Sequence, residues 1–320
     1  ASITVAGRGN DLSTKQIRSA TRAAVCGYRE TLERTLMASP LDLHYMRLEV
    51  ESLLQDDEKL RKRSRKALEK ASSKDSVRAL RKLTEVVDGR RRIVARPPLI
   101  VPVTDELAEV DEAQITRFFR LYRASLPPHR AAVLDRYRYV DMALKVVGVG
   151  SVGTRCLIML LESDQGAPLF LQFKEATRSV LEPYAGPSGF DHAGERVVRG
   201  QRLMQASGDI LLGYSHHEAA DGRTVEFYFR QLWDGKGSAE VEQMGPKRLK
   251  NYARHCGGTL ALAHARTGDG AAIWGYLGSD RTADDVFADF AERYADLNER
   301  DHEAHGQAIE SGRIDASADI

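Results

Sequence analysis

Cysteine is scarce in this chain, and none of it is spaced for pairing. Cys26, Cys156 and Cys256 are the three in 320 residues, with no C-x-x-C among them. That excludes a disulfide framework and a cysteine zinc site, and it fits free thiols in a reducing, cytoplasmic compartment. Long apolar runs are missing as well. None approaches the roughly 18 residues that read as a membrane span, so no membrane is expected as a partner. No basic stretch followed by an apolar one marks a signal peptide. A surplus of one charge is also absent. Lys and Arg number 47 against 46 Asp and Glu, a net charge of +1, so global electrostatics does not point to nucleic acid. The opening on Ala1 instead of Met reads as mid-helix or mid-loop, and a fragment or a processed product is expected.

What is present is an ordinary water-soluble composition, 42% hydrophobic and 29% charged, and length enough for two domains. The most informative stretch is LKVVGVGSVGTRCLIMLLESDQGAPLFLQFKEA, residues 144–176. Gly148, Gly150 and Gly153 form G-x-G-x-x-G. Glycines let a backbone approach a ligand and turn its N–H groups toward phosphate oxygens. By itself the motif is weak, and an ordinary glycine turn in a hairpin is its plain alternative.

Two architectures compete for it. In a dinucleotide-binding fold the third glycine opens a crossover helix, and an acid about 20 residues on holds the ribose. Glu175 is the candidate acid for that reading. In a protein-kinase-like fold the loop joins antiparallel strands, and a lysine on the next strand grips the phosphates. Residues 154–162 are too few for a crossover, which needs at least about 10–12 residues. The turn-forming SDQGAP follows, then LFLQFK, aromatic and of strand length. The reading is strand, loop, strand, turn, strand, with Lys174 at its end.

The rest of the chain divides around this centre. Residues 1–135 read as mostly helical, with Ser13 or Thr14 capping a helix to Met37 and a turn at Asp88–Gly89. A basic stretch runs from Lys59 to Lys70, offset by acids and backed by apolar residues, and reads mainly as a solvated helical face. Ile115, Phe118, Phe119, Tyr122 and Leu126 form an apolar stripe that suits a core better than a ligand cage. Residues 136–234 read as a small antiparallel-sheet lobe with one helix over 193–206. Glu195, the only acid of that helix, is the candidate partner for Lys174, with a surface or helix-dipole role as its rival. Asp234 and Lys236 lie where the chain leaves the sheet and are candidates near a nucleotide base; a plain turn is the alternative. Residues 235–320 read as helical and as packing with 1–135. His264 and Asp269 do not have the spacing of a catalytic pair, and His302 with His305 lacks a third metal ligand.

Taken together, VVGVGSVGTRC, LFLQFKEA, EPYAG, RVVRGQRLMQ, FYFRQLWDGKGS, LALAHARTGD and YADLNERDH resemble an uncharacterised bacterial family, domain of unknown function 2252, over most of the chain. That family is grouped with the protein-kinase-like folds. The resemblance implies a rearranged kinase: an α+β chain whose antiparallel sheet carries the glycine-rich loop, flanked by N- and C-terminal helical regions. It implies ATP as the nucleotide, held at its phosphates by Gly148, Gly150, Ser151, Gly153 and Lys174. It also implies Mg2+ in the intact parent protein, held by a Gly-Asp-x-His-x-x-Asn loop and an Asp-rich motif that normally lie upstream. Neither motif occurs in these 320 residues. The expectation is therefore a nucleotide-binding portion of a kinase-like phosphotransferase with an unknown acceptor, inactive by itself because metal and base positioning are missing. A non-catalytic interaction or scaffold protein and a nicotinamide-dependent oxidoreductase are the alternatives.

Overall fold

The computed structural model describes residues 1–46, 76–103, 112–146, 148, 153–219, 221–232 and 239–316. Gly150, Ser151, Asp234, Lys236 and the basic stretch from Lys59 to Lys70 lie outside the described residues. Three helices come first: α1 (Ser2–Gly9), α2 (Thr14–Thr35) and α3 (Pro40–Tyr45). Then come α4 (Ser76–Leu83), the strands β1 (Thr84–Val87), β2 (Arg90–Ile93) and β3 (Ile100–Pro102), and helices α5 (Glu112–Ala124) and α6 (Pro128–Leu134). Strands β4 (Tyr137–Lys145), β5 (Cys156–Ser163) and β6 (Pro168–Ala176) follow, then the short α7 (Glu182–Ala185) and α8 (Ala193–Met204). Strands β7 (Gly213–Glu218) and β8 (Thr224–Gln231) precede α9 (Pro246–Thr267), α10 (Gly270–Leu277) and α11 (Thr282–Glu310).

The class is α+β, and the chain gathers into two compact units. One is helical and built from both ends of the chain. In it α2 and α9 pack at backbone contact distance. A Cβ on Gly27 would sit 2.2 Å from the carbonyl oxygen of Arg254, and one on Gly257 would sit 1.9 Å from that of Ala24. Only glycine admits so close an approach. Helix α11 lies along α2, and its acids meet the arginines of α1 and α2. Arg8 pairs with Asp296 and Glu299, and Arg18 with Asp285, Asp289 and Glu292. Arg29 and Asp284 form a buried pair, 8% and 4% exposed, and Arg29 also donates to the carbonyl of Ser279. The expected start of α2 holds: the side-chain oxygen of Gln16 accepts the Ser13 N–H at 2.9 Å.

The other unit contains a six-stranded sheet in the order β3-β4-β5-β6-β8-β7, every neighbouring pair antiparallel. Successive side chains of a strand face opposite ways, so the sheet has two distinct faces. On the first, Leu157, Met159, Leu171, Phe173, Phe227 and Phe229 meet α5 through Phe118 and Tyr122. Tyr122 stacks on Phe229 with ring centroids 4.0 Å apart, and its hydroxyl donates to the Leu211 carbonyl at 2.7 Å. The expected apolar stripe of α5 is thus core. On the second face Ile158, Leu160, Phe170 and Leu232 cluster with Ile100 of β3, and with Leu83 and Ile93 from outside the sheet.

The expected helical stretch to residue 135 needs correction. Residues 84–102 hold three strands, and 76–103 and 112–134 belong to the sheet unit, not to a helical lobe. Asp88 and Gly89 both have positive φ, +50° and +74°, the geometry of a tight hairpin turn that joins β1 to β2. The helical spacing of Val77, Leu80 and Leu83 runs straight into that hairpin, which disguised the boundary.

Candidate functional site

The G-x-G-x-x-G motif falls between β4 and β5, and the two described ends of that segment are tied down. At the entry, the Val146 N–H donates to the Leu99 carbonyl at 2.9 Å. At the exit, Arg155 and Glu175 hold each other. The Arg155 N–H donates to the Glu175 carboxylate at 3.1 Å, and the Glu175 N–H donates to the Arg155 carbonyl at 2.8 Å. Gly148 and Gly153 have φ of +125° and +77°. A Cβ on either would meet nothing within 4 Å, so backbone conformation and not space demands glycine there.

Lys174 lies directly across from Cys156, the first residue after the loop. Opposed residues of an antiparallel pair share a face. Lys174 is in turn opposite Tyr228, and Tyr228 opposite Tyr214. The β4–β5 register pairs Leu144 with Leu157; one residue further it sets Lys145 beside Cys156. One row therefore crosses the second face of the sheet: Lys145, Cys156, Lys174, Tyr228, Tyr214. In the next row Gln172 is opposite Arg230. Arg230 donates through Nε and Nη2 to the Gln172 side-chain oxygen, at 2.9 and 2.7 Å.

Cys156 registers the electrostatics of this corner. Burial pushes its thiol pKa up, while Lys174, Lys145 and Arg230, together with a hydrogen bond from Gln172, pull it down. Three cations thus lie close enough to act on one thiol. Sequence reasoning found Lys174 and missed the other two. The signal was cross-strand register, which cannot be counted until the loop's length in the sheet is known.

Glu195 lies in the first turn of α8. That turn is pressed onto β8, because a Cβ on Gly194 would lie 2.4 Å from the Phe227 carbonyl oxygen. His192 caps the turn, its Nδ1 accepting the Glu195 N–H at 3.2 Å. The Glu195 carboxylate pairs with Arg199 at 3.2 Å. Its charge also acts on Tyr214, whose pKa is raised first by burial and then by this carboxylate. Glu195 of α8 and Lys174 of β6 thus serve one face, linked by the row that runs from Lys174 through Tyr228 to Tyr214.

Other candidates have structural tasks. Asp269 caps α10 by accepting the Ala272 N–H at 2.9 Å, and His264 Nδ1 is 2.8 Å from the Tyr28 hydroxyl. Among the described residues no group of three His, Cys, Asp or Glu is placed to hold a metal ion. No described helix is long and apolar enough to cross a membrane.

The dinucleotide alternative is overturned. After Gly153 the chain enters β5, antiparallel to β4, and no pair among the described strands is parallel. Glu175, its candidate ribose ligand, is engaged with the Arg155 N–H.

No curated protein and no solved structure matches the chain. A family model does match, described as "Uncharacterized protein conserved in bacteria (DUF2252)", over residues 1–308. With nearly its whole length covered, the chain belongs to this bacterial family.

Proposed function

We propose that the sheet unit binds the phosphates of a nucleotide, ATP in the first instance, between the glycine-rich loop and Lys174, and that the chain is the nucleotide-binding portion of a kinase-like phosphotransferase with an unidentified acceptor, inactive by itself. One observation carries the reading: Lys174 stands directly opposite the residue at which the loop re-enters the sheet. A phosphate requires N–H groups and an ammonium on one anion, and this register puts the ammonium's strand beside the glycine motif. The order of elements supports it. Strand, glycine loop, strand, lysine strand, helix, strand, strand is what a kinase-like small lobe needs, and Glu195 on the intervening helix shares the face of Lys174.

In this reading ATP supplies the phosphoryl group, and the described residues bind and orient it. Gly148 and Gly153 shape the loop, and Lys174 neutralises phosphate charge. Gly150 and Ser151 stay candidates for the phosphates, and Asp234 and Lys236 for the base, on the sequence alone. The residues described offer no carboxylate cluster for Mg2+, and the sequence has no Gly-Asp-x-His motif, so no transfer step is assigned to them.

Isothermal titration with ATP tests the reading. The unmutated chain is expected to bind, and Lys174→Ala to lose about tenfold or more, the scale of a charged hydrogen bond to phosphate. No heat of binding with the unmutated chain overturns the proposal.

A further inference from the structure

The second face of the sheet offers its ligand an unusual surface. A nucleotide base normally needs a slot with apolar walls. Among the described residues the apolar part of this face is already occupied. Ile158, Leu160 and Phe170 are fully buried, against Leu83 before the β1–β2 hairpin, Ile93 within it and Ile100 of β3. What remains beside the loop is polar and positive: Lys145, Lys174 and Arg230, all half-buried, around the small Cys156.

Arg230 is the informative member. Its two hydrogen bonds go to Gln172, which is 2% exposed and neutral. A carboxamide fixes a guanidinium without cancelling its charge. Three arginines of the helical unit behave differently. Arg8, Arg18 and Arg29 each end on carboxylates. The sheet therefore holds an arginine in place by a neutral partner, one strand from Lys174, with charge left for a ligand. Strands lie about 4.8 Å apart, so Lys145 and Lys174, on either side of Cys156, begin about 10 Å apart and can reach a chain of phosphates from both sides.

We infer that this site selects its ligand by the polyphosphate chain and not by the base, with Lys145, Lys174 and Arg230 as a three-cation cradle and Gln172 as the residue that positions Arg230. The inference rests on the nucleotide reading above and narrows it to a triphosphate-bearing ligand of any base.

Titration calorimetry with sodium tripolyphosphate, ATP, GTP and adenosine tests it. Tripolyphosphate is expected to bind and to compete with ATP, ATP and GTP to bind alike, and adenosine not to bind. Arg230→Gln and Lys145→Gln should each weaken tripolyphosphate by about tenfold, with thermal melts confirming the fold. Lys145 is half-exposed at a strand end, so its variant keeps the test decisive if Arg230→Gln does not fold. Adenosine binding as tightly as ATP overturns the inference, as does unchanged tripolyphosphate affinity in both variants. If Lys174→Ala abolishes ATP binding while the two glutamine variants bind tripolyphosphate normally, the nucleotide reading stands and this one falls. If neither ATP nor tripolyphosphate binds the unmutated chain, both fall.

Discussion

Gly257→Ala should destabilise the helical unit, although alanine is the better helix former. The new Cβ would lie 1.9 Å from the Ala24 carbonyl oxygen and 2.9 Å from the Tyr28 amide nitrogen. Both atoms are backbone of α2, so no side-chain rotation relieves the contact. A carbon needs about 3.3 Å from such an oxygen, so the helices must part by more than about 1 Å at the crossing. Gly27 sits in the same crossing, 2.2 Å from the Arg254 oxygen by the same measure, so its contact loosens too. Overpacking costs about 1–3 kcal/mol and helix propensity returns about 1 kcal/mol. Displaced backbone puts this case at the upper end, a net loss of about 2 kcal/mol. Gly306→Ala in α11 is the control. Nothing lies within 4 Å of its Cβ, so propensity alone acts. That variant should gain up to about 1 kcal/mol. Urea unfolding followed by circular dichroism reads both, with midpoints moving in opposite directions at constant slope. A Gly257→Ala midpoint at or above that of the parent refutes the packing argument.

Asp284→Asn should cost about 3–5 kcal/mol, because Arg29 stays buried without its counter-charge; an Arg29→Met, Asp284→Leu double variant should recover most of it in the same urea assay. Tyr122→Phe should lose about 1–2 kcal/mol by thermal unfolding, since the buried Leu211 carbonyl gives up its donor. Acid should weaken the sheet unit through His192 and His217, whose pKa values are held below the ordinary 6.5, first by burial. The unfolded chain then binds protons more readily, so the stabilisation is complete above 6.5 and is lost as pH falls through the lower folded-state values. His192→Asn keeps a capping acceptor for α8 and does not titrate. Its melting temperature should fall less than the parent's between pH 7.5 and pH 5.5; an equal fall would acquit His192.

The sequence was most legible where local chemistry decides. The antiparallel strands around Gly148, Gly153 and Lys174 were readable because glycines followed by a short apolar run, a turn and a second run fit such strands and not a crossover helix. The stripe from Ile115 to Leu126 announced a buried face, but periodicity does not say which layer covers it. Here it covers the sheet, which moves 112–134 out of the helical unit. In α11 the aromatics mislead about packing. Ala288, Ala291 and Ala295 are buried, while Phe287, Phe290 and Tyr294 are about half exposed, because a close helix contact needs small residues. Glu195 was visible as the acid of α8, but its engagement with Arg199 and Tyr214 depends on neighbours that only the fold supplies. Lys145, Gln172 and Arg230 were not singled out at all. Each is unremarkable along its own strand and acquires meaning across strands.

The central claim is that the amine of Lys174 and the loop beside it meet the phosphates of a nucleotide. An ATP analogue carrying a lysine-reactive acyl phosphate tests this most directly, because it acylates the amine next to the bound phosphates. Peptide mapping should find the modification on Lys174, with Lys145 the one alternative inside the same cradle, and excess ATP should suppress it. ATP-protected modification at a lysine elsewhere in the chain, or none that ATP suppresses, would contradict the account.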